Sequence, residues 1–128
     1  GPDLTVDFQT DSSVVVPGDP DLLSQVIQNL VGNAIKYNTE DGELRLELNV
    51  LPDRVRFAVT NSGAPIPMEA QPRVFERFYR GDPSRARVVE GSGLGLSLSR
   101  EIARAHGGTL VLEESDESGT TFLLTLML

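Results

Sequence analysis

A glycine-rich stretch that opens into a helix constrains this chain more than any other feature. Gly91, Gly93 and Gly95 stand at alternate positions, and an amphipathic pattern follows them as far as Gly107 and Gly108. Glycine lets a backbone approach a ligand closely because it has no Cβ, and a helix N-terminus adds free N–H groups and the positive end of its dipole. The combination is typical of a phosphate site. A flexible turn is the other interpretation, and the rest of the sequence has to separate the two.

The composition indicates one globular domain. The chain has 128 residues, of which 39% are hydrophobic, and this suits a single domain with its own core. There is no cysteine, so a disulfide framework and a thiolate metal site are excluded. No apolar run approaches the ~20 residues that cross a bilayer. Gly1 and Pro2 are typical of the remnant that protease removal of a tag leaves, and we expect residues 3–128 to form the domain.

The net charge restricts the ligands. With 19 acidic and 11 basic residues the chain carries −8 at neutral pH, which disfavours general electrostatic binding to nucleic acid or to an acidic membrane. The same field repels phosphate. A phosphate site here therefore needs a divalent cation, nearby Lys or Arg side chains, and backbone N–H groups.

The first half of the chain predicts two short strands and a long helix. Residues 5–8 and 13–16 are β-branched runs that favour strands. Asp19 is placed to cap a helix that has Pro20 at its first position and runs to about Tyr37. Its apolar residues recur at helical spacing and are Leu22, Leu23, Val26, Ile27, Leu30, Val31, Ala34 and Ile35.

Three polar residues share one strip of this helix. Asn29, Asn33 and Lys36 are four and three positions apart, so they lie beside the apolar stripe. A solvated helix edge is one interpretation. The other is a ligand site, because a carboxamide oxygen is a hard ligand for Mg²⁺ and a lysine ammonium is a point charge for phosphate. Spacing alone leaves both open.

The second half predicts two hairpins with short helices between them. Residues 44–50 alternate in polarity and pair with 55–59, and Asn61 then starts a Gly- and Pro-rich loop, either aimed at a ligand or capping a turn. Residues 68–78 suggest a short helix broken near Pro72, and residues 81–89 suggest a loop. A last helix, with an apolar face of Leu94, Leu98, Ile102 and Ala105, precedes a hairpin of 109–113 and 121–128. His106 in its last turn is expected to cap or pack.

This element order predicts the fold class. We expect an α+β two-layer sandwich, with one mixed, mostly antiparallel sheet and the helices on one face.

Four stretches in this order resemble the catalytic and ATP-binding domain of sensor histidine kinases, within the group that includes type II topoisomerase, chaperone and mismatch-repair ATPases. Residues 25–38 (QVIQNLVGNAIKYN) resemble the N box and 61–67 (NSGAPIP) the G1 box. Residues 74–82 (VFERFYRGD) resemble the F box and 91–108 the G2 box. The resemblance covers nearly the whole chain and implies a Bergerat-type ATP-binding fold.

The resemblance implies roles for the residues in these boxes. Asn33 would ligate Mg²⁺ with Asn29 in support, Lys36 would reach the phosphates, and Tyr37 would border the adenine pocket. Residues 81–89 would form the ATP lid. The resemblance places further residues at the nucleotide: Asn61, Gly63 and Ile66 of the G1 box, Phe75, Phe78 and Arg80 of the F box, and Gly91, Gly93, Leu94, Gly95 and Leu96 around the phosphates. Phe75 and Phe78 would also anchor the base of the lid.

Two positions of the G1 box depart from the family. Asn61 stands where the family has an Asp that accepts a hydrogen bond from the adenine amino group, and Pro65 replaces a glycine. A neutral acceptor makes a weaker bond than a charged one, so we expect ATP binding to be weaker and looser in base choice. The Asn-x-Gly pattern that Asn61 and Gly63 form resembles that of heavy-metal-type sensor kinases.

The phosphoacceptor histidine of the family belongs to a separate dimerisation domain, and nothing here resembles it. The resemblance therefore implies a domain that binds Mg²⁺-ATP and donates the γ-phosphate to that histidine, and through it serves a response regulator. We expect the isolated domain to be monomeric and to contact neither nucleic acid nor membrane. We also expect it to be the cytoplasmic part of an inner-membrane sensor.

Two alternatives stay open at this point. Asn61 and Pro65 would suit a degenerate domain that holds nucleotide for regulation without transferring phosphate. A stand-alone protein-serine kinase or ATPase of the same group is the other alternative. An ATPase of the group has a glutamate where this chain has Asn29, and asparagine cannot act as a general base.

Overall fold

The described residues form one five-stranded sheet, which is the first layer of the protein. The computed structural model describes residues 5–10, 16–36, 38, 42–76 and 95–128. The strands are β1 (Thr5–Thr10), β2 (Glu43–Val50), β3 (Arg54–Asn61), β4 (Thr109–Asp116) and β5 (Gly119–Met127), in the spatial order β1-β2-β3-β5-β4. β1 runs parallel to β2, and the other neighbours are antiparallel. The predicted mixed, mostly antiparallel sheet is confirmed.

Within the described residues, two helices pack on one face of this sheet as the second layer. They are α1 (Pro20–Lys36) and α2 (Gly95–Ala105), and a short 3-10 helix (Gln71–Arg73) lies between β3 and α2 in the chain. Pro72 lies inside that short helix, whereas the sequence predicted a break near it. Of the strand predicted at 13–16, only Val16 is among the described residues, and it is not in a strand. No helix in the described ranges is long and apolar enough to cross a bilayer.

The core lies between the two layers. Leu44 on β2, Val59 and Phe57 on β3, and Leu124 on β5 point to the helices, and they are all buried. The cross-strand register places Phe57 opposite Leu124 and Val59 opposite Phe122, so one face of the sheet is continuously apolar. Each such side chain contributes about 1.5–3 kcal/mol by leaving water.

The buried stripe of α1 is narrower than predicted. Leu23, Val26, Leu30 and Ala34 are buried. Leu22, Ile27 and Ile35 of the predicted stripe are instead exposed by 40%, 40% and 51%. One flat layer can cover only one side of a helix, so the flanks of a wide apolar stripe stay in solvent.

The buried face of α2 is the larger correction. Leu98 and Ala105, predicted to be apolar contacts, are exposed, whereas Ser97, Ser99 and Ala103 are buried together with Ile102. Leu94 lies outside the described residues. Small side chains on this face let α2 approach α1 and the sheet closely. The prediction was wrong because hydrophobic periodicity does not identify serine as a core residue.

The start of α1 and the end of α2 are capped as the sequence predicts. Asp19 Oδ1 accepts hydrogen bonds from the N–H groups of Asp21 (2.9 Å) and Leu22 (3.2 Å). At the end of α2, Gly107 has a φ of +75°, and the Gly108 N–H donates to the Ala103 carbonyl at 2.8 Å. This is a Schellman ending, which requires a left-handed residue and is most easily met by glycine.

His106 ties these two helix ends together. Its Nε2 accepts a hydrogen bond from the Asp19 N–H at 3.0 Å, and its Nδ1 lies 2.8 Å from the Ile102 carbonyl oxygen. Because an N–H can only donate and a carbonyl can only accept, the ring is the neutral tautomer with its proton on Nδ1. His106 therefore caps the start of α1 and packs against the end of α2, in line with the predicted role.

Replacing His106 by alanine should lower the free energy of unfolding by about 1–3 kcal/mol, because the Asp19 N–H loses its acceptor and the ring its contacts. Urea denaturation of the two proteins measures the difference. Glu101→Ala, an exposed position on the same helix, should change the stability by no more than about 0.5 kcal/mol. Equal losses in the two variants would contradict the assigned role of His106.

Candidate functional site

Residues of the predicted site lie at one end of the two-layer sandwich. Asn29, Asn33 and Lys36 are on the C-terminal half of α1, Gly95 and Leu96 begin α2, and Asn61 ends β3. Gly63, Ile66 and Phe75 follow β3 in the chain. The predicted site residues outside the described part are Tyr37, Phe78, Arg80, Gly91, Gly93 and Leu94.

Asn29 connects α1 to the start of α2. Its Nδ2 donates to the Ser99 hydroxyl at 3.1 Å and lies 3.5 Å from the Gly95 carbonyl oxygen. Ser99 is fully buried, and because the Gly95 carbonyl can only accept, the amide turns its nitrogen toward α2. The Asn29 Oδ1 is then the atom that remains to face a ligand or cation. Gly95, the last glycine of the predicted stretch, and the polar strip of α1, predicted separately, meet here.

Asn33 and Lys36 continue the strip toward the end of α1. Asn33 is half-buried and Lys36 is exposed in the last turn. From Asn29 they follow at offsets of four and three, so the helix presents all three side chains along one side. A ligand between this strip and the start of α2 would meet amide oxygens on one side and helix N–H groups on the other.

Asn61 is held at the end of β3. Its side chain is part of a residue only 8% exposed, and its Nδ2 donates to the Ser62 carbonyl at 2.8 Å. A carbonyl oxygen only accepts, so the amide cannot be turned the other way. The Oδ1 is therefore the group that Asn61 offers as an acceptor. Gly63 follows with a φ of +122°, a conformation that turns the loop and that other residues rarely adopt.

Hydrogen bonds to both the N–H and the carbonyl group hold Ile66, farther along this loop. Its N–H donates to the Ser115 hydroxyl at 2.8 Å, and its carbonyl accepts from Gln71 Nε2 at 3.0 Å. Ser115 also lies 2.7 Å from the Thr120 hydroxyl. In the adjacent turn, hydrogen bonds from the Ser118 hydroxyl and N–H lower the pKa of Asp116. The β4–β5 hairpin thus supports the loop that Asn61 begins.

Phe75 lies in the core. It is 9% exposed, it packs edge-on against Phe122 with ring centroids 5.9 Å apart, and the Arg100 guanidinium lies 4.8 Å from its ring centre. These contacts make Phe75 part of the hydrophobic core. They fix the chain just before residue 77, where the described segment ends.

Several residues that hold the site were not singled out from the sequence. They are Asn38, Ser62, Ser99 and Ser115, whose side chains bond to backbone groups or to other polar side chains. Clusters of Ser and Asn around a Gly-containing loop indicate only a turn, so the sequence carried no signal for their partners.

A comparison with protein families decides the assignment of the chain. Residues 18–128 match the family described as "Histidine kinase-, DNA gyrase B-, and HSP90-like ATPase". The chain belongs to this family. The match includes the end of α1, the loop after β3 and the start of α2, which together form the site described above.

Curated relatives are sensor kinases. The chain is 42% identical over 111 residues to the sensor histidine kinase CusS of Escherichia coli (strain K12), a match of 87% of this chain and 23% of CusS. It is 39% identical over 124 residues to the sensor-like histidine kinase SenX3 of Mycobacterium tuberculosis (strain ATCC 25618 / H37Rv), covering 97% of this chain and 30% of SenX3. The chain thus spans less than a third of the length of these relatives.

Solved structures agree with the sequence relatives. The nucleotide-free catalytic domain of histidine kinase ThkA superposes with a TM-score of 0.82 at 32% identity, over 97% of this chain and 78% of that one. Full-length ShkA in complex with AMPPNP superposes with a TM-score of 0.80 at 27% identity, over 96% of this chain and 25% of that one. The chain is an ATP-binding catalytic domain of the sensor histidine kinase type, and the resemblance found in the sequence is confirmed.

Proposed function

We propose that this domain binds Mg²⁺-ATP and donates the γ-phosphate to a histidine on a separate dimerisation domain of its parent kinase. The observation that carries the proposal is the Asn29 side chain bound to the first turn of α2. It brings the polar strip of α1 beside the start of α2 at Gly95, which supports a site between amide oxygens and Lys36 of α1 and the N–H groups of α2.

The chemistry of α1 suits Mg²⁺. Asn33 would ligate the ion through its carboxamide oxygen and Asn29 would support it, since hard oxygen ligands suit this metal. When bound, Mg²⁺ would neutralise phosphate charge that the −8 of the chain otherwise repels. Lys36 would add a positive charge beside the phosphates.

The start of α2 suits the phosphates. Gly95 and Leu96 begin this helix, where unpaired N–H groups and the helix dipole favour anions. Gly91, Gly93 and Leu94 would complete the phosphate cradle, and residues 81–89 the lid. In the F box, Arg80 would reach the nucleotide, with Phe75 and Phe78 anchoring the lid.

The loop after β3 suits the base. The Asn61 Oδ1 would accept a hydrogen bond from the adenine amino group, because the Nδ2 is committed to the Ser62 carbonyl. This orientation favours a donor on the base, and so adenine over guanine, which places an acceptor there. Gly63, Ile66 and Tyr37 would border the ring.

The transfer itself requires positioning more than covalent chemistry by this domain. A ring nitrogen of the acceptor histidine attacks the γ-phosphorus, and an N–P bond forms while the bond to the β–γ bridging oxygen breaks. ADP leaves, and the imidazole releases its ring proton to solvent. Asn29 is no general base, so hydrolysis by water should be negligible.

The partners follow from the relatives. ThkA has been solved in complex with the response regulator protein TrrA, and we propose that the parent of this chain likewise passes its phosphate to a response regulator. We further propose that the parent is an inner-membrane sensor with residues 3–128 as its cytoplasmic catalytic domain, monomeric when isolated.

A regulatory module without transfer is the second candidate, and Asn61 with Pro65 favours it. The test mixes this domain with the histidine-bearing domain of the parent and ATP labelled on the γ-phosphate. We expect acid-labile, base-stable label on that domain, and none when its histidine is replaced by glutamine. Binding of Mg²⁺-ATP without any label would favour the regulatory module instead.

A further inference from the structure

We propose that a closed hydrogen-bond network of Asn38, Glu43 and Ser62 holds the base-binding loop at a fixed position relative to the C-terminal end of α1, the helix that carries the proposed Mg²⁺ ligands and Lys36. The inference rests on the proposed nucleotide site and assigns Asn38 and Ser62 as positioning residues for it. Neither side chain has a role in the boxes described above.

Four hydrogen bonds close the network. The Glu43 N–H donates to Ser62 Oγ at 2.8 Å, and the Ser62 hydroxyl donates to Asn38 Oδ1 at 2.7 Å. Asn38 Nδ2 donates to the Glu43 carbonyl at 2.8 Å, which also accepts from the Ser62 N–H at 3.1 Å. Each side-chain polar atom in this ring takes part in at least one of these bonds.

The direction of every bond is determined. The Glu43 carbonyl can only accept, so the Asn38 amide must turn its nitrogen toward it and its Oδ1 toward Ser62. Asn38 Oδ1 can only accept, so the Ser62 hydroxyl donates to it while Ser62 Oγ accepts from the Glu43 N–H. No other arrangement satisfies all of these groups, so the network resists deformation more than separate bonds would.

The network joins the two ends of the proposed ligand site. Ser62 directly follows Asn61, the proposed adenine contact at the end of β3. Asn38 lies two residues beyond Lys36, at the end of the helix that carries the proposed metal and phosphate contacts. Glu43 begins β2, the strand beside β3. A side-chain bridge thus fixes the helix end against the strand end.

Such a bridge matters most for a ligand that occupies both ends. When one half of a ligand is bound, the other half is presented at a high effective concentration only if the two subsites keep their spacing. Loss of the bridge should therefore weaken binding of the whole nucleotide. A fragment that occupies one end should bind as before.

The experiment measures Mg²⁺-ATP by calorimetry and adenosine by NMR shift titration, on wild type and Ser62→Ala. We expect the dissociation constant of Mg²⁺-ATP to rise about tenfold, the effect of one net hydrogen bond, and that of adenosine to stay within about twofold. Ser62→Thr keeps a hydroxyl and should recover most of the affinity. Asn38→Ala should repeat the result of Ser62→Ala, and it decides the test if that variant does not fold.

Thr60→Ala is the matched control. Thr60 is on β3, two positions before Ser62, and its hydroxyl lies 2.8 Å from that of Thr121. Thr60→Ala therefore loses a similar bond away from the network, and the Mg²⁺-ATP affinity of this variant should match wild type. Unchanged Mg²⁺-ATP affinity in Ser62→Ala, or equal losses for adenosine and Mg²⁺-ATP, would overturn the inference alone. A wild-type domain that binds no nucleotide would instead overturn the proposed function, and the inference with it.

Discussion

Replacing Asn33 by alanine is expected to remove the Mg²⁺-dependent part of ATP affinity. In the proposed site its carboxamide oxygen faces the metal, and alanine offers no ligand in its place. Loss of a contact to a charged partner of this kind weakens binding by up to about a hundredfold. Without Mg²⁺ the variant and the wild type should bind ATP almost equally, because the missing atom faces the metal.

Calorimetric titrations with ATP and ADP, each with Mg²⁺ or with EDTA, measure this effect. Asn49→Ala is the control, since Asn49 is an exposed asparagine on β2 and should bind as wild type does. If Asn33→Ala kept the full Mg²⁺ dependence, Asn33 would not be the metal ligand. Equal weakening with and without Mg²⁺ would indicate a contact to the nucleotide itself.

Replacing Gly108 by alanine is expected to cost the fold about 3 kcal/mol or more, a large part of the typical stability of a domain. A Cβ at this position would overlap the backbone carbonyl of Thr125 on β5. Relief requires a movement of backbone, and Gly108 is also held by its hydrogen bond to Ala103 at the end of α2. The chain passes from helix to sheet here with no room for a side chain.

Urea denaturation and thermal unfolding measure this loss, and Gly32→Ala is its matched control. Gly32 lies inside α1, and a Cβ there would meet nothing within 4 Å. Because alanine favours a helix interior more than glycine does, by up to about 1 kcal/mol, this variant should be more stable than wild type. If both variants were as stable as wild type, the approach of β5 to Gly108 would be looser than the structure has it.

Much of the fold was predictable because its signals are local. Asp19 with Pro20 specified the start of α1, and Gly107 with Gly108 specified the end of α2, since caps depend on residues within one turn. The alternation of residues 44–50 and the turn after them specified the hairpin of β2 and β3. The order of four boxes identified the family, which the comparisons confirmed.

Sequence patterns misplaced the buried faces of the helices. Periodicity ranked Leu98 above Ser99, yet Ser99 is fully buried and Leu98 is 38% exposed. What is buried depends on how close the neighbouring helix lies, and a small polar residue with a partner suits a close contact better than a leucine does. Ile35 of α1 is likewise exposed, because the sheet covers only one side of this helix.

The sequence by itself determined the two helices, their caps, the two hairpins and the family, because each depends on neighbouring residues or on a motif contiguous in the chain. The tertiary structure decided which distant side chains meet. Asn29 reaches Ser99 across the two helices, and Ser62 meets Asn38 and Glu43 only once α1, β2 and β3 have packed. These bonds depend on the distance and direction between side chains that are far apart in the chain. The spacing of residues along the sequence specifies neither quantity.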